Sequence, residues 1–245
     1  MRVIGYMPLH YGKDYLMESL NSVIDLCDKF VILYTPSPSY GYGSSIKCPE
    51  SEAELRKIAE DVCGKKLTWH SRNYHGEGEH RNEIFKFAFG YDLILTVDAD
   101  EIVDTDEMRK GLEIAYKGVH RNYGIKGYIN LWRNFDYACY DGFLPIRVIN
   151  IHNQHKDMSH LEVKIWHFST CQSKTIMDYK YEIHGHKSEI RSNWLNDIFY
   201  SWNPDNKFDD VHPVAFGLWN PVEYDKQLMP LTLRKHPNFN KNIVE

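Results

Sequence analysis

Apolar residues along the first 120 positions alternate between short unbroken runs and helical stripes, and that alternation predicts an α/β chain. Residues 2–7 form a run of strand length stopped by Pro8, with a loop over residues 8–12 at its carboxyl end. From Lys13 a helix follows, its apolar stripe being Leu16, Leu20, Val23, Ile24 and Cys27. Residues 30–34 read as a second strand. Residues 35–45 are too rich in proline, glycine and serine for regular structure, and read either as a solvated connector or as a flap over a site. Ser51 with Glu54 forms a capping box, and Leu55, Ile58, Ala59 and Val62 mark a helix ended by Gly64. A short strand over residues 67–70 leads to a helix over 79–89, with Ile84, Phe85, Ala88 and Phe89 facing inward. A strand over 93–97 and a helix carrying Met108, Leu112, Ala115 and Tyr116 complete a β-α-β-α-β-α-β-α series. Such a series predicts a doubly wound parallel sheet.

After Gly118 the rhythm changes. Strands are expected over residues 124–132, 144–151 and 161–168, and helices over about 174–183 and 189–200. From Asn203 onward proline, asparagine and aromatic residues dominate, so order there depends on docking to the main body. The organisation expected is an α/β half at 1–120, a second half of the same domain at 121–200, and an extension at 201–245.

The strand at 93–97 ends in Asp98-Ala99-Asp100-Glu101. On an extended chain Asp98 and Asp100 point to the same side, and two like charges that close require a positive partner. A divalent cation completed by substrate phosphates supplies one. The plainer reading, an acidic first turn for the next helix, is already served by Asp104 with Glu107. In an open α/β sheet, ligands bind beyond the carboxyl ends of the strands, where these acids lie.

Composition narrows the classes. Hydrophobic content of 42% and charged content of 26% are those of a globular protein, and a net charge of −5 excludes a general polyanion binder. Aromatic residues reach 14%, with all tryptophans but Trp69 in the second half. Core packing accounts for most of them, and platforms for a sugar or a base for some of the rest. Arg121, Lys126, Arg133, Arg147, Lys156 and Lys164 alternate with these aromatics, as in sites for single strands or flipped bases, although a mixed charged surface reads the same way. Five cysteines without a CxxC spacing predict reduced thiols in the cytoplasm and no zinc site. The opening residues do not make a signal peptide, and no apolar run reaches membrane-spanning length.

The familiar phosphate cradles, GxGxxG after the first strand and GxxxxGKS/T, are absent, as are the GxSxG elbow and HExxH. Arg81 stands in the first turn of its helix, where a cation opposes the macrodipole; it is either a surface arginine or a bidentate phosphate contact. His167 ends an apolar strand, as a rim residue or as a ligand. His184 and His186 make an isolated His-x-His without further acids beside it.

Val97-Asp98-Ala99-Asp100-Glu101 resembles the Asp-x-Asp motif of glycosyltransferases of the A fold. The helix start Glu79-His80-Arg81-Asn82 resembles the Ala-Arg-Asn element of family 2. Trp166-His167-Phe168-Ser169 and the helical segment after it look like the matching stretch of family 17-like N-acetylglucosaminyltransferases. The likeness covers about residues 1–190. It implies a single Rossmann-like nucleotide-diphospho-sugar transferase (GT-A) fold with a mixed central sheet and an aromatic-rich C-terminal extension. It implies further that Pro8 and His10 begin the nucleotide pocket and that Arg81 contacts the donor diphosphate or base. Asp98 would hold the ribose or a metal-bound water, Asp100 would ligate Mn²⁺ or Mg²⁺, and His167 would add a ligand from a later strand. The donor class implied is a UDP- or GDP-sugar, and the reaction an inverting transfer to an acceptor hydroxyl. The chain departs from family 2 in lacking a Glu-Asp pair before the last catalytic helix. Glu182 is the expected general base, with Glu189, Asp136 and Asp141 as rivals. The alternatives are an A-fold nucleotidyltransferase and a non-catalytic carbohydrate-binding protein. Protein, lipid-linked glycan, small molecule and modified DNA base all stay open as acceptors.

Overall fold

Four apolar runs in the first hundred residues lie side by side as parallel strands, the inner three buried because helices cover both faces. The computed structural model describes residues 1–38, 47–185, 187–206, 208, 210–214, 218–241 and 243. In chain order the first elements are β1 (Val3–Leu9), α1 (Lys13–Val23), β2 (Lys29–Tyr34), α2 (Glu52–Cys63), β3 (Leu67–Ser71), α3 (Glu77–Asn82) and β4 (Leu93–Thr96). The parallel order is β3-β2-β1-β4. Side chains alternate between the two faces: Met7, Leu9, Phe30 and Ile32 pack with α1 and α2, and Ile4, Tyr6, Val31 and Leu33 with Ile84 and Ala88. Ser51 and Glu54 cap α2 reciprocally, as their spacing predicts, and Gly64 ends it with φ 52°.

Next come β5 (Glu101–Val103), α4 (Thr105–Lys117), β6 (His120–Trp132), β7 (Tyr137–Cys139), β8 (Ile146–Asn150), β9 (His155–Thr170), α5 (Lys174–Glu182), β10 (Val222–Glu223) and α6 (Leu231–Arg234). β8 runs antiparallel to β4 and to β6, and β5 antiparallel to β9. The molecule is therefore mixed α/β with a mixed sheet.

The chain divides into two compact units. Unit 1 is Met1–Gly41, Glu50–Tyr128 and Phe143–His167; unit 2 is Tyr42–Pro49, Ile129–Gly142 and Phe168–Glu245. Unit 2 is built on an aromatic core in which Trp132 makes edge contacts with Trp194, Phe199, Trp202 and Trp219. Its strands are the end of β6 paired with β7, and β7 paired with β10.

Several local expectations are corrected. Pro8 lies within β1 and does not end it, because its missing N–H falls on the side where β4 has already stopped, past the Tyr6–Thr96 pair. The helix expected over 79–89 is short, giving way to a 3₁₀ turn at Glu83–Lys86 and then to a turn closed by Tyr91 N–H on Ala88 O. That change of period turns Phe85 and Phe89 outward, to 40% and 96% exposure. The helix expected over 189–200 is reduced to a π-helical stretch, Leu195–Tyr200, since Asn193 takes a left-handed φ of 54° just before it. Among the described residues no helix is long and apolar enough to cross a membrane.

Candidate functional site

β4 delivers the acids to the carboxyl edge of the parallel strands, but the extended backbone expected there is a turn. Glu101 N–H donates to Asp98 O at 3.0 Å, so Asp98 and Asp100 meet different partners. The turn is clasped by α1: Ser19 Oγ donates to Asp98 O at 3.0 Å, and Gly12, at φ 139°, packs against Ala99. A Cβ on Gly12 would come within 2.6 Å of Ala99 Cβ. Glu50 accepts the N–H groups of Gly12 and Lys13 at 2.7 and 3.0 Å, satisfying donors that Gly12, without a side chain, cannot cap.

Two arginines converge on Asp98. Arg81 Nη1 and Nη2 donate to its two carboxylate oxygens at 3.2 and 3.4 Å, and Arg147 Nη2 donates to Oδ2 at 3.2 Å. Arg81 is also held by Glu77 Oε1 at 2.7 Å. Arg147 in turn grips Glu101 in a bidentate pair, with Nε on Oε2 at 2.7 Å and Nη2 on Oε1. Glu101 is 0% exposed and is satisfied further by the Tyr128 hydroxyl at 2.6 Å and the Asp98 N–H at 3.1 Å. Burial by itself pushes the Asp98 carboxyl up, but Arg81 and Arg147 outweigh it and bring it down to about 2. Asp98 in return holds the Arg81 guanidinium above its usual range. Burial and the neighbouring Glu101 carboxylate raise the Tyr128 phenol.

His167 reaches the site because β9 pairs with β5, with His167 opposite Glu101. Its Nε2 lies 3.8 Å from Asp100 Oδ1, and its ring is 5.0 Å from that of Tyr128. Pro8 and His10 stand at the end of β1, and His10 Nδ1 is 2.7 Å from Thr35 O. Burial pulls the His10 imidazole below its usual range, with the Thr35 carbonyl acting the other way.

Unit 1 thus brings together Arg81, Asp98, Asp100 and His167. Glu182 belongs to unit 2, at the end of α5, with Lys187 Nζ 3.4 Å from its carboxylate. Asp136 pairs with Lys226 at 2.7 Å, Asp141 accepts from the Trp219 indole at 2.8 Å, and Glu189 is exposed. His186 and residues 39–46 of the turn-rich loop lie outside the described residues. Arg133 and Arg147, read from sequence as part of a basic surface, are 7% and 8% exposed and do not belong to one.

The residues expected to hold a divalent ion do not assemble a complete ligand set of their own. Asp100 Oδ1 and His167 Nε2 lie 3.8 Å apart, and both oxygens of Asp98 are engaged by guanidinium groups. Among the described residues no set of three His, Cys, Asp or Glu side chains is placed to hold an ion. Two protein ligands with phosphate oxygens and water completing the shell is the usual pattern for a substrate-bridging Mg²⁺ or Mn²⁺.

Sequence reasoning reads Arg147 only as part of a basic surface and Glu101 only as part of the acidic motif, and singles out neither of them nor Tyr128 as a residue of this site. Arg147 is a charge inside an apolar strand run, and Glu101 the last acid of the cluster; a buried arginine needs a buried carboxylate, which was the available signal.

No protein-family model matches the chain, and no curated protein matches it. Among solved structures, residues 1–349 of S. aureus TarS in complex with UDP-GlcNAc are 17% identical over 54% of this chain and 35% of that one, with a TM-score of 0.40. The mannosyltransferase PcManGT from Pyrobaculum calidifontis, in complex with GDP-Man and Mn²⁺, is 15% identical over 51% of this chain and 35% of that one, also at 0.40. A mycobacterial protein gives 17% identity, 53% and 41% coverage, and 0.36. The chain spans little more than a third of the length of these structures. Likenesses this partial assign neither a reaction nor a substrate.

Proposed function

We propose that the protein is a glycosyltransferase that takes a sugar from a nucleotide-diphosphate donor, with inversion, and that unit 1 holds the donor. The single observation carrying this reading is the convergence of Arg81 and Arg147 on Asp98, with Asp100 and His167 beside it, at the carboxyl edge of the parallel strands. Arginine forks suit a diphosphate. Arg81, on a helix and about a third exposed, is the cation able to turn from Asp98 to a donor phosphate. Asp98, kept ionised by its two arginines, is the acceptor for a donor hydroxyl. Pro8 and His10 border the nucleoside end. Asp100 and His167 would hold Mn²⁺ or Mg²⁺, and that ion would neutralise charge building on the departing diphosphate. The acceptor hydroxyl needs a carboxylate base, and Glu182 is the residue proposed for it. The five free thiols suit the reducing cytoplasm as the place of action.

Thermal unfolding with UDP, GDP and their sugars, each with Mn²⁺ or with chelator, tests the reading, because a ligand of the native state raises its stability. A nucleotide that stabilises wild type more with Mn²⁺ than without, and loses that increment in Asp100→Asn, is the outcome expected. If no uridine or guanosine nucleotide shifts the transition in either condition, the donor site is wrong. Release of pyrophosphate in place of nucleoside diphosphate would make the enzyme a nucleotidyltransferase. Turnover by Glu182→Gln at the wild-type rate would remove Glu182 as base.

A further inference from the structure

Phe89 sits at the tip of a turn, 96% exposed, with no packing role to explain it. The turn is closed by Tyr91 N–H on Ala88 O, and Gly90 takes φ 83°, so residues 88–91 project a ring where polar residues are usual. Phe85 lies one turn earlier and is 40% exposed. Around these rings stand three cations. The Arg121 guanidinium lies 5.9 Å from the centre of the Phe85 ring, and among the described residues it faces no carboxylate. The Arg2 guanidinium lies 4.7 Å over the Tyr91 ring and donates to Gly90 O at 2.8 Å, also without a carboxylate partner. Lys86, between the two phenylalanines in sequence, is two-thirds exposed and reaches Glu83 at 3.0 Å. The nearby acids are already engaged: Glu83 is buried under Lys86 and Arg72, and Asp92 accepts the Arg2 backbone N–H at 2.6 Å and lies 3.1 Å from His152.

We propose that this turn is a docking point for the surface of an anionic lipid bilayer, with Phe89 entering the acyl boundary and Arg2, Lys86 and Arg121 meeting the lipid phosphates. The charge pattern argues for that occupant. The chain as a whole carries −5 and is repelled by polyanions, yet among the described residues this corner presents two guanidinium groups without a carboxylate partner around an exposed aromatic ring. Aromatic rings with an apolar body and cations with long stems are the side chains that settle at a membrane interface. A protein partner would have to offer an apolar pocket with carboxylates spaced to both arginines, whereas an anionic bilayer offers acyl chains and phosphates over its whole surface. The contact is peripheral and reversible: one ring and three cations are far short of an anchor. This inference uses none of the residues assigned to the donor and stands whether or not the protein transfers a sugar.

Co-sedimentation of the full chain with large vesicles tests it. Wild type should pellet with vesicles of roughly three parts neutral to one part anionic phospholipid, and not with neutral vesicles alone. Phe89→Ser should lower the partition coefficient about tenfold, the loss expected for one buried aromatic ring, and Arg121→Glu should lower it by at least about fivefold. Raised salt should release the wild type. Phe89 is exposed, so its variant should unfold at the wild-type temperature, which keeps a folding defect apart from a binding defect. Failure of the wild type to pellet with anionic vesicles overturns the proposal. So does retention of Phe89→Ser at the wild-type level, which would leave a cationic patch and no insertion.

Discussion

Arg147 Nε lies 2.7 Å from Glu101 Oε2, in an ion pair whose carboxylate is wholly removed from water. Two buried charges of opposite sign offset each other's desolvation only while both are present. Arg147→Met leaves Glu101 with the Tyr128 hydroxyl and the Asp98 N–H alone, and should cost about 3 kcal/mol in urea unfolding. Adding Glu101→Gln to that variant removes the stranded charge and should restore a good part of the loss. A double variant no more stable than the single one would show that the ion pair is not the cause.

Asp98 makes stability depend on acid in a defined direction. Its carboxyl titrates at about 2 in the folded chain, against the ordinary 3.8. A depressed folded value means that the stabilisation is fully present above the unfolded value and disappears as pH falls through the folded one. At neutral pH the contribution is about 2 kcal/mol. Wild type and Asp98→Asn should therefore differ most near neutrality, and the gap should close between pH 4 and pH 2, followed by denaturant titration at each pH.

Gly12 is fixed by two independent constraints, its φ of 139° and its closeness to Ala99. Gly12→Ala meets both at once, and the strain should cost about 2 kcal/mol or more. Because Ala99 stands between Asp98 and Asp100, the same variant should weaken nucleotide binding more than Gly64→Ala does. Gly64 also has a positive φ, but a Cβ there meets nothing. Calorimetric titration of both variants with one nucleotide checks the difference.

The capping box of α2 offers a control that bonds to none of Arg81, Asp98, Asp100 or His167. Ser51→Ala removes the acceptor for Glu54 N–H and the donor to Glu54, and should cost about 1 kcal/mol with no change in nucleotide affinity.

Much of unit 1 was legible because its signals are local. Four apolar runs, a capping box at Ser51, an N-cap at Asp104 and acids at the end of β4 are each decided within a few residues. What sequence could not give is set by partners far along the chain. β5 is three residues long and exists by pairing with β9, more than sixty positions later. Arg147 stands 49 positions from Asp98, so neither its burial nor its target can be read locally. A helical period turns Phe85 and Phe89 inward, but the chain abandons that period at Glu83.

The reversed direction of β8 has a consequence for how this rim responds to an incoming molecule. Strands that all run one way present only loops at their carboxyl edge, whereas a strand running back brings its opening residues there on regular backbone. Arg147 is therefore mounted as firmly as the ladder it belongs to, while Arg81 rides on a six-residue helix. Under the proposed function, adjustment to the donor would fall to Arg81, with Arg147 as its fixed reference.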